Sequence, residues 1–302
     1  MTLYPNAAEE LYTLRDWLRF AVSRFEEAGI FCGHGTQNSY DEAAWLLLAA
    51  LHLPHDTLHN FLDAVLTLNE RRELARLIER RVTERVPTAY LVREAWLGEF
   101  RFYVDERVIV PRSFIAELLR EQLSPWVENP EEIVSVADIC TGSGCLAILA
   151  AHAFPNAEVD AVDISDEALA VASRNIADYG LQDQVFPVKS DMLSALHESS
   201  YDLILSNPPY VNAPSMEALP REYRHEPQIA LGSGEDGLEH THVLLRTAAA
   251  HLNPGGLLVV EIGHNRTALE AAYPQLPFSW LPVNAGDEFV FLLKREDLIG
   301  LG

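Results

Sequence analysis

Short apolar runs alternate with helical patterns from Glu132 onward, and this alternation constrains the possible folds more than any other property of the chain. The runs Ile133–Ala137, Val159–Val162, Val185–Val188, Leu203–Ser206 and Leu257–Glu261 have the length and apolar character of buried strands. Helical spacing follows from Gly144, from Asp166 to Tyr179 before Gly180, and from about His240 to Leu252. Strands separated by helices need crossover connections, which make neighbouring strands parallel with both faces covered. The expectation is an α/β fold with a doubly wound, mostly parallel sheet. Two later runs, Trp280–Val283 and Phe289–Leu293, lie close enough to pair as a hairpin around Asn284-Ala285-Gly286-Asp287, bringing the sheet to seven strands.

Upstream the period is different. Leu11, Leu14, Leu18, Ala21, Val22 and Phe25 recur on one helical face between a cap at Asn6 and Gly29. Further helices are expected over about Asp41–Leu51, Leu58–Val65 and Arg71–Val86. The last of these concentrates Arg71, Arg72, Arg76, Arg80, Arg81 and Arg85, interleaved with Glu70, Glu73, Glu79 and Glu84, which reads as a solvated, self-paired face. Between Tyr90 and Pro111 the spacing alternates, with Phe100, Phe102 and Val104 opposite Arg101, Tyr103 and Asp105 and a bend at Gly98. The expected organisation is a small helical domain over 1–88, a linking β-hairpin over 89–112, and the larger α/β domain over 113–302.

No apolar run approaches the length that crosses a bilayer, and Met1-Thr2-Leu3-Tyr4-Pro5 lacks the basic start of a secretion signal, so a cytoplasmic location is expected. Cys32, Cys140 and Cys145 form neither a C-x-x-C pair nor a four-ligand set, and no metal site is expected. The formal charge of −23 repels phosphate backbones, which argues against duplex nucleic acid and favours a basic partner.

The chemistry concentrates at strand ends. Asp138-Ile139-Cys140-Thr141-Gly142-Ser143-Gly144 occupies the first strand-to-helix crossing, where glycine lets the backbone turn sharply and approach a ligand. Asp163 follows 19 residues after Gly144, at the tip of the next strand, where a carboxylate can take both hydroxyls of a ribose. Asp191, after the third strand, is placed to meet the exocyclic amine of an adenine, with Met192 against the ring. A dinucleotide site wants the full G-x-G-x-x-G to seat a pyrophosphate. Here Cys140 stands first and the third glycine is missing, which favours a nucleoside without phosphate, S-adenosylmethionine.

At the fourth strand end comes Asn207-Pro208-Pro209-Tyr210. Two prolines stop the ladder and stiffen the loop. The Asn207 amide, the Pro208 carbonyl and the Tyr210 ring then suit a planar nitrogen substrate, although the same residues also make an ordinary strand-terminating turn. Together the two loops indicate a methyltransferase.

With these residues assembled, the chain resembles the glutamine amide methyltransferases that modify translation proteins. One branch acts on the Gly-Gly-Gln motif of peptide release factors and the other on large-subunit ribosomal protein L-three. Asp138 through Cys145, Val110-Pro111-Arg112-Ser113-Phe114-Ile115-Ala116-Glu117 and Gly33-His34-Gly35-Thr36 look like the ribosomal branch. The release-factor branch usually carries Pro-Arg-x-x-Thr-Glu where this chain has Pro111-Arg112-Ser113. The resemblance implies a Rossmann-like class I methyltransferase sheet. It assigns Cys140, Thr141, Gly142, Ser143, Gly144, Asp163, Asp191 and Met192 to the methyl donor, with Asn207 at the junction, and Asn207, Pro208, Pro209 and Tyr210 to the glutamine. It also implies a basic ribosomal protein as substrate, met free before assembly. Three alternatives stand beside it: a release factor as substrate, the amino group of adenine in DNA, or a non-catalytic ribosome assembly factor.

Overall fold

Thr13 divides what the spacing presents as one N-terminal helix. The computed structural model describes Tyr4, residues 6–196 and residues 200–301, so most of the opening pentapeptide lies outside the described residues. α1 spans Ala7–Glu10 and α2 spans Leu14–Ala28. Thr13 is extended, accepts from the Asp16 amide and closes a reciprocal capping box, so a new helix begins there. Asn6 makes no side-chain cap. α2 ends at Gly29 with φ of +59°, a left-handed cap that suits glycine. α3 (Ser39–Ala50) starts at an Asn38 cap, α4 is only Leu58–Phe61, and α5 (Leu68–Thr83) opens on a Thr67–Glu70 capping box. α4 stops short of Val65 because that residue bridges Thr13. A short α6, Thr88–Val92, follows Pro87 and has too few residues to show a period.

The chain divides into two compact units. The helical one comprises residues 1–95, with 104–106 and 220–225, and packs Leu14, Trp17, Phe25, Leu46, Leu47, Leu74 and Ile78 into its core. Its arginines correct the expectation of a wholly solvated face. Arg76 and Arg80 do pair with Glu73 and Glu84 at the surface. Arg81 is instead fully buried, because it follows Leu74 and Ile78 on the apolar face of α5. Its Nε donates to Glu42 at 2.7 Å and its Nη2 to the Phe31 carbonyl at 2.9 Å. The Thr88 hydroxyl donates to the same Glu42 oxygen at 2.8 Å, and Glu222 lies 3.6 Å from Arg81 Nη1.

The second unit comprises residues 96–103, 107–219 and 226–302. The β-hairpin pairs β1 (Ala95–Leu97) with β2 (Phe100–Phe102). After α7 (Ile115–Arg120) the chain runs through β3 (Ser135–Ile139), α8 (Cys145–Ala153), β4 (Glu158–Asp163), α9 (Asp166–Asp178), β5 (Val185–Lys189) and β6 (Tyr201–Ser206). It continues with α10 (Ala213–Ala218), α11 (Glu239–His251), β7 (Leu252–Glu261), α12 (Arg266–Ala272), β8 (Ser279–Trp280), β9 (Val290–Lys294) and α13 (Arg295–Leu298). The Tyr103 backbone bonds to the Asn175 amide in both directions, and Arg101 does the same with the Tyr179 hydroxyl, which seats the second hairpin strand on α9.

The seven strands lie in the order β5-β4-β3-β6-β7-β9-β8. β3 to β7 are parallel, and β9 runs antiparallel to both β7 and β8, so the terminal hairpin forms as its spacing predicts. Ala137, Ile139, Val162, Ile204, Leu258 and Val260 on one face and Val136, Ala161, Leu203, Leu205 and Val259 on the other are fully buried, so both faces of the sheet are covered. The chain builds outward from β3 first towards β5 and then, from β6, in the other direction. The point of reversal lies between β3 and β6, and in open α/β sheets the crevice beyond the strand ends at that point is where ligands bind.

Candidate active site

Register brings the two motifs to one level. Ile139 at the end of β3 pairs with Ser206 at the end of β6, and the Ser206 hydroxyl donates to the Ile139 carbonyl at 2.8 Å. Cys140 and Asn207 are therefore the first residues beyond the ends of neighbouring strands. Asp163 ends β4 and Asp191 follows β5, so the named carboxylates continue the same row of strand ends.

The glycine loop is held open by its own backbone. Cys140, Gly142 and Gly144 have φ of +63°, +55° and +79°. A Cβ at Gly144 would come within 3.1 Å of Ala172 on α9, whereas one at Gly142 would meet nothing within 4 Å. Gly142 thus faces open space, which suits a ligand. Asp138, buried beneath the loop, accepts from the Thr141 hydroxyl at 2.6 Å and the Ala147 amide at 3.0 Å. Burial pushes its carboxyl up to about 7. Cys140 and Met192 are non-glycine residues with positive φ, a conformation costing on the order of 1–3 kcal/mol that tends to occur at ligand sites. Their sulfur atoms are 3.8 Å apart, and Met192 is buried.

Asp163 accepts the Gly142 amide through Oδ2 and the Ser165 amide through Oδ1, both at 2.9 Å. A carboxylate has about four acceptor positions, so acceptor capacity remains for a hydroxyl donor. The loop from Asp138 to Leu146 contains no basic residue to neutralise a phosphate. Open space at Gly142, a carboxylate at the next strand end and a loop without a basic residue fit S-adenosylmethionine. Replacing Asp163 with Ala is expected to weaken binding of that nucleoside by roughly 10- to 100-fold, the worth of about one hydrogen bond to a charged group. Unchanged affinity by calorimetry would contradict the ribose role.

In the loop after β6, among the described residues no hydrogen-bond partner reaches the Asn207 side-chain amide or the Pro208 carbonyl. Pro208 and Pro209 are buried, while Asn207 and Tyr210 are half-buried. The loop therefore presents an amide and a carbonyl from a stiff backbone.

Two buried carboxylates, Glu261 and Glu226, belong to none of the sequence motifs. Glu261 ends β7, beside β6, and accepts from the Ser113 hydroxyl at 2.7 Å and the Phe114 amide at 2.8 Å. Arg112 grips Glu226 with two bonds of 2.6 and 2.7 Å, and Glu226 also accepts the Val110 amide. The Pro111-Arg112-Ser113 segment is thus built into the α/β unit by two buried carboxylates. The detectable signal for Glu261 is its place at the next strand end after the Asn207–Tyr210 loop.

Burial pushes the Glu261 carboxyl up to about 7 against an ordinary 4.5, with the Ser113 and Phe114 bonds opposing. Between about pH 4.5 and 7 the folded protein holds a proton that the unfolded chain has lost, so this group lowers stability as pH rises through that window. Glu261→Gln offers an acceptor for the same bonds without titrating. It is expected to match the native chain near pH 4.5 and to exceed it at pH 8 by about 1–3 kcal/mol in denaturant unfolding. A pH-independent difference would contradict this.

Two family models match separate stretches of the chain. A family model described as the methyltransferase small domain matches residues 116–219, and one described as the PrmC N-terminal domain matches residues 16–92. The ribosomal protein uL3 glutamine methyltransferase of Neisseria meningitidis serogroup A is 58% identical over 298 residues, covering 99% of this chain and 98% of its own. The proteins of that name from Bordetella pertussis and Burkholderia pseudomallei are each 54% identical over 293 residues, covering 97% and 95% of this chain and 98% and 95% of their own. Identity above one half, running through the helical and the α/β units alike, means that the chain belongs to the family of ribosomal protein uL3 glutamine methyltransferases.

Proposed function

We propose that the protein transfers a methyl group from S-adenosylmethionine to the side-chain amide nitrogen of a glutamine in ribosomal protein uL3. The observation that supports the reading most is the register of β3 with β6, by which the Cys140–Gly144 loop and Asn207-Pro208 both begin at the ends of neighbouring strands. The family's name supplies the protein substrate.

Asp163, Asp191 and the backbone from Cys140 to Gly144 would hold the donor, with Met192 beside them. S-adenosylmethionine supplies an electrophilic methyl group on a positively charged sulfur. An amide nitrogen is a poor nucleophile because its lone pair is delocalised into the carbonyl. The Asn207 oxygen and the Pro208 carbonyl each accept a hydrogen bond from the substrate NH₂, which favours a more tetrahedral nitrogen and stabilises positive charge developing on it. Tyr210 packs over the amide plane. Fixing the nitrogen in this way can contribute up to roughly 7–11 kcal/mol through orientation. Proton loss to water completes the reaction without a dedicated base.

The charge of −23 gives the substrate preference a physical route, because a negative enzyme attracts a basic ribosomal protein while it is still free of RNA. The helical unit is the substrate-recognising part in this reading. Incubation with labelled donor and, separately, free uL3, a release factor and duplex DNA tests it. Label on uL3 alone is the expected result. Label only on the release factor or the DNA would overturn the substrate, and no binding of the donor would return the chain to an assembly factor.

A further inference from the structure

We propose that Asn265, Gly263 and Gly237 are positioning residues for the acceptor, acting through Tyr210. The proposal rests on the reading of Asn207 through Tyr210 as the glutamine-binding loop. Pro208 and Pro209 stiffen the first half of that loop, and the register of β6 anchors its start. Tyr210 is the first residue after them whose backbone is not restricted by a proline ring, so something else must fix it.

Three groups close around it. Asn265 Nδ2 donates to the Tyr210 carbonyl at 2.8 Å and to the Gly237 carbonyl at 3.3 Å. A Cβ at Gly263 would lie 2.8 Å from Cδ2 and Cε2 of the Tyr210 ring, closer than real contacts allow. A Cβ at Gly237 would lie 2.6 Å from the Tyr210 carbonyl and 2.8 Å from Asn265 Nδ2. Both glycines also have positive φ, +56° and +78°. Any side chain at either position would push the ring or the carbonyl out of place.

Asn265 carries a second sign of this duty. It occupies the N-cap position of α12, where asparagine ordinarily accepts a bond from the first turn, yet it makes no side-chain cap. Its amide is turned back to the loop instead. The cap contributes nothing to α12 here, so removing it leaves that source of helix stability unchanged.

The clamp is tested by a double-mutant cycle in the full chain, with methylation of uL3 as readout. Asn265→Ala and Gly263→Ala are each expected to lower kcat about 10-fold, with donor affinity by calorimetry within twofold of native and Tm little changed for Asn265→Ala. In a Tyr210→Ala background the same changes are expected to have no further effect. An equal factor in both backgrounds would overturn the proposal. A second measurement needs no substrate. In protein carrying ¹³C-labelled tyrosine rings, the Tyr210 resonance, identified by its loss in Tyr210→Phe, should shift in Asn265→Ala and Gly263→Ala. An unmoved resonance would also overturn the clamp, whereas native protein that fails to label uL3 would count against the substrate reading alone.

Discussion

Asn207→Ala is expected to lower the methyl-transfer rate by roughly 10³-fold while leaving the affinity for S-adenosylmethionine within a few fold of native. The size follows from what the side chain does. An amide oxygen that accepts from the substrate NH₂ interacts more strongly as charge grows on the nitrogen, so its loss falls on the transition state rather than on binding. The Pro208 carbonyl alone cannot orient both hydrogens. Single-turnover rates with saturating donor and free uL3, together with donor calorimetry, separate the two effects. A loss of donor affinity in parallel with rate would mean that Asn207 serves mainly the nucleoside side of the site.

Arg81→Met is expected to destabilise the folded protein by about 3–5 kcal/mol, the largest effect anticipated away from the strand ends. The cause is the charge left behind. Glu42 and Glu222 are only 1% and 3% exposed, and Arg81 is the cation bonded to Glu42. Arg85 remains within 3.4 Å of Glu222 but bonds, among the described residues, to the Gly29 and Ala28 carbonyls rather than to Glu42. Denaturant unfolding of the helical transition measures the loss. Replacing Glu42 with Met in the same chain is expected to recover much of it, because an apolar pair of similar volume avoids the uncompensated charge. A loss below about 1 kcal/mol for Arg81→Met would show that water or a shifted side chain satisfies Glu42.

The parts of the molecule that were legible in the amino-acid sequence are those governed by repetition. Five parallel strands, their helices and the terminal hairpin follow from alternation of period, because burial on both faces leaves apolar runs with sharp ends. The glycine loop, Asp163 and Asn207-Pro208-Pro209-Tyr210 stand at strand ends because turn chemistry and ligand chemistry both mark those positions. Local exceptions were harder. Thr13 starts a new helix within an unbroken apolar period, since a capping box with Asp16 outweighs continuity. Arg81 looks like its charged neighbours, and only packing against Glu42 shows that it belongs to the core. Asn265 and Gly263 lie more than 50 residues beyond Tyr210, and their role depends on β7 lying beside β6, a pairing that no local pattern encodes.

Methylation of a side-chain amide has a chemical signature that distinguishes it from methylation of lysine or arginine. Free uL3 methylated with donor carrying a labelled methyl group should, after complete acid hydrolysis and then addition of alkali, release the label as volatile methylamine, because hydrolysis cleaves the amide carbon–nitrogen bond and leaves glutamate. Label recovered as methylamine, and traced before hydrolysis to one glutamine-containing peptide, is the predicted result. Label retained on a non-volatile amino acid would contradict the assignment of Asn207 through Tyr210 as a glutamine amide site.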